Sequence, residues 1–235
     1  MNKLKIEKVK HCCTALGRLH RSHGHGIHSP FAFKFVLQVL CEHSCYYAYE
    51  DIRKLRRRTE TAQRKAGGKL PKIVSEDTAR MLFRLVNYYN PQKILQIGGC
   101  FGVTETVMNM VSSTSEVAVH EPQPELFDLP GTPDRVSRYK NLDDMLQTYA
   151  AVETPFVLIN HIDEADYDRV CSYVAEVQAK GGVLILRNLS RRTEMGKLWE
   201  RILHSGEFGM GFSNDKFAVL AANPKLPRQN YSLWF

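Results

Sequence analysis

KILQIGGCFGVTETVMNMV, residues 93–111, decides how the rest of the chain is read. KILQIGG (93–99) is a short apolar strand, and TETVMNMVSS (104–113) follows with helical spacing. Between them Gly98 lets the chain leave the strand sharply, and Gly102 lets the backbone approach a ligand at the helix start. A strand, a glycine turn and a helix N-terminus make a cradle for a nucleotide-type cofactor. It is not the dinucleotide form, because Cys100 and Val103 stand where G-x-G-x-x-G needs its later glycines. Nor is it a phosphate-binding P-loop, which would end in Gly-Lys-Ser/Thr. The strand also closes on an amide, Gln96, where such sites place a carboxylate.

Outward from this turn, strands and helices alternate. EVAVHE (116–121) and RVSRYK (135–140) read as strands, and NLDDMLQTYAAV (141–152) as a helix with Asn141 at its N-cap. FVLINH (156–161) is strand, DEADYDRVCSYVAEVQAK (163–180) helix, and GGVLILRN (181–188) strand. RRTEMGKLWERILHSG (191–206) is a helix with Gly206 as its C-cap. GMGFS (209–213) and KFAVLAAN (216–223), two residues apart, form a hairpin. The alternation predicts right-handed crossovers and a doubly wound, mostly parallel α/β sheet covered on both faces. The hairpin adds an antiparallel strand.

The first ninety residues are of another character. Ser29–Pro30 is an N-cap and first-turn pair opening the helical run FAFKFVLQVLCEH. DIRKLRRRTETAQRK (51–65) is polar nearly all round, GGKLP (67–71) breaks it, and SEDTARMLFRLVNYY (75–89) is an amphipathic helix capped by Ser75. Residues 1–72 therefore read as a helical extension and 73–235 as the sheet domain. Residues 1–90 carry a net charge of +11 and residues 91–235 one of −4, the pattern of a basic arm beside a neutral or acidic body. No apolar run spans a bilayer and the N-terminal residues lack the apolar core of a secretory signal. Six cysteines without framework spacing suggest reduced thiols and a cytoplasmic protein.

Residues Ile94, Leu95, Gln96, Ile97, Gly98, Gly99, Cys100, Phe101, Gly102, Val103 and Thr104 resemble the first strand and turn of class I S-adenosylmethionine-dependent methyltransferases, closest to small bacterial O-methyltransferase-like proteins whose turn reads I-L-E-L-G-T-S-L-G-I-T. The likeness extends from His28–Phe31 through Leu82–Tyr89 to the closing hairpin. It implies a Rossmann-like seven-stranded sheet, with S-adenosylmethionine held by Gln96, Gly98, Gly99 and Gly102, its ribose hydroxyls by Glu121, and Asn160 bordering the transfer site. A carboxylate suits the ribose because it accepts from two vicinal hydroxyls. Three features depart from the pattern. Gln96 brings no charge to the cofactor's ammonium group. Asn160 and Arg187-Asn188 stand where metal-dependent relatives place their carboxylates, so no metal is expected. PQPELFDLPGTPD (122–134), with four prolines, leaves no room for a helix beside the adenine.

Methyl transfer from a sulfonium needs an aligned acceptor and sometimes a base. His161 is either that base, oriented by Asp163, or the cap of its strand, with Asp163 starting the next helix. His20, His23, His25 and His28 form either an alternating metal-binding set or, more in keeping with their glycines, a connector. Three functions follow: a metal-independent methyltransferase on a small or medium acceptor; a methyltransferase-fold binding or assembly module that has lost catalysis; and a nucleic-acid binder or methyltransferase using basic residues 53–69. No Asn-Pro-Pro-Tyr motif follows the fourth strand and no aromatic interleaves the basic run, which lowers the third. The aromatic end, Trp234 and Phe235, packs on the body or on a second copy in a dimer.

Overall fold

The computed structural model describes residues 18, 22, 24–66, 73–122, 135–189, 193–205, 209–214 and 216–235. The expectations for Cys12, Cys13, His20, His23, residues 67–69, the proline-rich link 123–134, Gly206 and Asp215 lie outside them.

The elements run α1 (Pro30–Phe35), a π-helical turn (Val36–Leu40), α2 (Tyr49–Ala66), α3 (Glu76–Tyr89), β1 (Lys93–Ile97), α4 (Val103–Asn109), β2 (Glu116–His120), β3 (Val136–Tyr139), α5 (Leu142–Thr148), β4 (Phe156–Ile159), α6 (Tyr167–Ala179), β5 (Val183–Arg187), α7 (Glu194–Ser205), β6 (Met210–Ser213), β7 (Phe217–Ala221) and β8 (Gln229–Ser232). The sheet order is β3-β2-β1-β4-β5-β7-β6-β8. The first five strands in this order are parallel, β7 is antiparallel to both β5 and β6, and β8 is parallel to β6.

The expected sheet is thus present with one strand more than expected. The eighth is formed by the C-terminal segment, where Gln229–Ser232 pairs with Met210–Ser213. Only Tyr231 of those four residues is buried, so no period-two apolar pattern announces an edge strand. The C-terminal segment packs on the body, where Phe235 meets Phe217 edge-on.

Local chemistry sets the boundaries. Ser29 Oγ accepts from the Ala32 amide with Pro30 at the first helical position, and Ser75 Oγ does the same for Thr78 at the start of α3. Asn90, left-handed at φ 45°, ends α3. Asn141 Oδ1 takes the amides of Asp143 and Asp144 to open α5. In the β6–β7 hairpin Asn214 Oδ1 accepts from the amides of Lys216 and Phe217.

Alternation along the central strands divides the interior in two. Ile94, Phe156, Leu158, Val183, Ile185, Phe217 and Val219 face a core shared with α1, α2, α3 and α4. Leu95, Ile97, Val157, Ile159, Leu184 and Leu186 face α5, α6 and α7. By the same period of two, Gln96, Asn160 and Arg187 continue the first face at the C-terminal edge of the strands. Ile27, Phe35, Leu40, Tyr49 and Ile52 from the N-terminal half belong to that core. Arg84, buried on α3, ties the π-helical turn down by donating to the carbonyls of Val39 and Leu40 and to the Tyr49 hydroxyl. No described helix is long and apolar enough to cross a membrane.

Candidate functional site

The glycine turn is built by three left-handed steps. Gly98 has φ 82°, Phe101 55° and Gly102 71°, and Gly102 serves as the N-cap of α4. Such values suit glycine and are strained for Phe101, which is held by being almost wholly buried. The Gly98 amide continues the ladder to His120 O, and the Asn160 amide donates to Ile97 O, so the turn rises from the centre of the sheet.

Around it lies a buried polar cluster. Gln96 Nε2 donates to Gly98 O at 3.0 Å and to Glu105 Oε1 at 2.8 Å. Asn160 Nδ2 also donates to Gly98 O, at 2.8 Å, and Asn160 Oδ1 accepts from Arg187 Nη1 at 2.7 Å. Thr104 Oγ1 donates to Glu105 Oε2 at 3.0 Å. Gln96 Oε1 is buried with no hydrogen-bond partner among the described residues. Such an orphaned acceptor costs free energy on the order of 1–3 kcal/mol unless a ligand supplies a donor.

Glu105 corrects the expectation that this end of β1 carries no acid. The carboxylate that position 96 lacks stands nine residues on, in the first turn of α4, bonded to the Gln96 amide. From sequence alone a glutamate at the third position of a helix reads as a capping residue, and nothing in VTETVMN, where threonines flank it on both sides, announces its burial. Burial pushes the Glu105 carboxyl above its ordinary value, opposed by the bonds from Thr104 and Gln96. A raised folded-state value favours the protonated form. Its contribution to stability is therefore present below the ordinary carboxylate range and lost as pH rises through the folded value. We expect Glu105→Gln, which keeps an acceptor for Gln96, to flatten the fall in melting temperature across this range and to melt above the parent in mildly alkaline buffer. Calorimetric scans of both chains from about pH 4 to pH 8 check this, and parallel curves would refute it.

At the end of β2, one strand from the turn, Glu121 is buried and its Oε2 accepts from the Gly99 amide at 2.8 Å. A Cβ on Gly99 would lie 2.9 Å from that oxygen, so only glycine permits the approach. His161 packs on the other glycine, where a Cβ on Gly98 would come within 2.6 Å of its Nδ1. His161 Nε2 stands 3.8 Å from Glu121 Oε2, and its side chain is 43% exposed. The carboxylate beside His161 is therefore Glu121 rather than Asp163. Asp163 precedes a short 3-10 turn (Glu164–Asp166) without a side-chain capping bond.

Arg187 completes the edge. It is 7% exposed, and its Nη1 donates to Asn160 and contacts Cys100 Sγ at 3.6 Å. Burial raises the Cys100 thiol, while the guanidinium pulls it the other way. Asn188 follows at φ 56° and donates to Asn160 O. An amide and a guanidinium do not make a hard-cation site, and among the described residues no group of three potential metal ligands occurs.

Among the described residues, cavities of ligand size lie toward the sheet's two strand edges. One, about 650 Å³, lies toward the C-terminal strand edge between α3, the π-helical turn and the C-terminal segment, with Tyr49, Arg80, Arg84, Phe217, Trp234 and Phe235 in its wall. The other, about 550 Å³, sits among Lys93, Phe156 and Val183 where strands begin, the edge at which α/β sheets do not bind ligands. On the basic helix α2, Arg53 pairs with Glu50 and Glu76, Lys54 with Asp51 and Arg56 with Glu60. For these three residues the pairing is that of a solvated helix face.

No family model matches the chain, and no curated protein sequence matches it. Solved structures do. The cofactor-bound Rv0187 from MTB is 17% identical, with 77% of this chain and 91% of that one aligned at a TM-score of 0.52. A protein described as a caffeoyl-CoA O-methyltransferase from Staphylococcus aureus is 14% identical, with 74% and 91% covered at a TM-score of 0.52. At these identities the likeness is one of fold: the chain has the Rossmann-like architecture of O-methyltransferases, the family its glycine turn resembles.

Proposed function

We propose that this protein is an S-adenosylmethionine-dependent methyltransferase that works without a metal ion on a small or medium acceptor. The observation that carries this reading is the pairing of Gly99 and Glu121, a carboxylate locked at the end of β2 against the backbone of the glycine turn. An acid in that place accepts from vicinal ribose hydroxyls. The rest of the cluster suits the same molecule. Gln96 Oε1 is a buried acceptor without a donor among the described residues, and an ammonium group would supply one. Glu105 puts a carboxyl group one bond further back. Gly98 O cannot serve the ammonium as readily, since Gln96 and Asn160 already donate to it.

When bound, S-adenosylmethionine supplies an electrophilic methyl group; the remaining work is positional. Glu121 and Gln96 would hold the cofactor, and His161 would take the proton of an acceptor hydroxyl on a ring nitrogen, with Glu121 Oε2 3.8 Å from its Nε2. Arg187 argues against a divalent cation, because its fixed positive charge fills the place such an ion would need.

Calorimetric titration with S-adenosylhomocysteine, alongside thermal melting, tests the reading. Binding in the micromolar range is expected, weakened about 30-fold in Glu121→Ala if two charge-assisted bonds worth about 2 kcal/mol are lost. Neither heat nor a melting shift at millimolar ligand would sink it. The remaining reading would then be a methyltransferase-fold binding module.

A further inference from the structure

We propose that Arg187 holds a carboxylate of the methyl acceptor, so that the acceptor class is a carboxylic acid carrying its methylated group elsewhere. The inference rests on the reading of the glycine turn as the cofactor's place, since it identifies the acceptor's side of the same edge.

The reason lies in how the guanidinium is spent. Arg187 Nη1 is committed to Asn160 Oδ1 and Cys100 Sγ. Among the described residues, Nε and Nη2 meet no hydrogen-bond acceptor, and no carboxylate lies within ion-pair distance of the group. Those two nitrogens form the side-on edge of an arginine, whose parallel N–H bonds match the two oxygens of one carboxylate. A guanidinium that is 7% exposed and has no carboxylate partner among the described residues favours an anion beside it. Asn160 and Cys100 fix its plane by contacts on the opposite nitrogen, which preorganises the fork.

Position decides whose carboxylate it is. Glu121, the candidate ribose anchor, follows β2, and Arg187 ends β5, with β1 and β4 between them. Three strand spacings put them roughly 14 Å apart. The glycine turn and His161 occupy the middle, so Arg187 stands on the far side of the transfer site from the nucleoside. On that side Phe217, directly opposite Arg187 in the β5–β7 pair, forms part of the wall of the cavity of about 650 Å³. Held by two N–H bonds, the carboxylate is a handle rather than the nucleophile, and Arg187 is accordingly a specificity residue.

The test titrates the full chain with benzoate and with benzamide, its neutral isostere, with and without S-adenosylhomocysteine. Benzoate is expected to bind at least about tenfold tighter. The preference should vanish in Arg187→Met. It should fall sharply in Arg187→Lys, which keeps the charge and the fold but loses the fork. Equal affinity for the two probes in the parent would overturn the proposal, as would no benzoate binding at millimolar concentration or an unchanged preference in both variants. A further arm compares S-adenosylhomocysteine with 5′-methylthioadenosine, which lacks the amino-acid carboxylate. If Arg187→Met weakened the former alone and left benzoate untouched, the carboxylate would be the cofactor's and the proposal wrong. A charge preference without any S-adenosylhomocysteine binding would support the anion site while sinking the methyltransferase reading, so the two fail separately.

Discussion

Phe35→Ala should lower the unfolding free energy by about 4 kcal/mol, within the usual range for deleting a buried phenylalanine. In a chain of this length that corresponds to roughly a 10 °C fall in melting temperature. Phe35 is fully buried at the end of α1. Its ring stacks on Phe31 and meets Tyr88 and Tyr89 of α3 and Phe212 of β6, at centroid distances of 4.9–6.0 Å. The residue therefore joins the N-terminal half, the first helix over the sheet and the C-terminal hairpin. Melting followed both by near-ultraviolet circular dichroism and by calorimetry checks the effect. If the N-terminal helices were an appendage hung on an independent sheet domain, the substitution would leave the main transition in place and merely abolish a minor one. A shift of the whole transition would mean that residues 27–66 are part of one cooperative unit.

The mostly parallel sheet was legible because parallel strands buried on both faces leave long apolar runs between helices of the other period. KILQI, FVLI and VLILR carry that signal without ambiguity. β8 was not legible, since a four-residue edge strand with one buried side chain needs its neighbour to exist. Likewise α1 gives way to a π-helical turn at Val36, and nothing in FAFKFVLQVL foretells a change of hydrogen-bond spacing. Two carbonyls of that turn are taken by Arg84, forty-odd residues further on.

The site divides in the same way. Gly98, Gly102 and Glu121 can be found because a turn and a strand end are local features. The partners that give them chemistry are not local. Gln96 reads as a lost charge in the sequence, whereas α4 brings Glu105 to its amide. Asp163 reads either as the orienting acid for His161 or as the start of the next helix, whereas β2 brings Glu121 beside the ring. In both cases the sequence shows a residue type and the fold chooses its neighbour. The outcome also shows why an amide is tolerated at position 96. A glutamate there would face Glu105 in a buried cluster, where two carboxylates cannot both ionise at neutral pH. The amide instead bonds both the acid and the glycine carbonyl.

Gly98→Ala is expected to cost about 3 kcal/mol and to abolish cofactor binding, because two penalties fall on one atom. The first is conformational: at φ 82° an L-residue is in the left-handed region, worth about 1–2 kcal/mol. The second is steric. The added methyl would lie 2.6 Å from His161 Nδ1 and 2.9 Å from the His161 carbonyl oxygen. The ring can swing away, but the backbone oxygen cannot move without dragging the end of β4, where Asn160 holds Gly98 O and Arg187. Gly26→Ala separates the two terms. That glycine has a similar φ of 73°, but an added methyl there would meet nothing within 4 Å. Its substitution should show the conformational cost alone, about 1 kcal/mol. Chemical denaturation of both variants, with S-adenosylhomocysteine titrated into each, gives the comparison. Equal losses of stability would mean that His161 and β4 yield freely and the turn is not rigid. A larger loss at Gly98, with ligand binding gone there and intact in Gly26→Ala, is the result a preformed cofactor cradle requires.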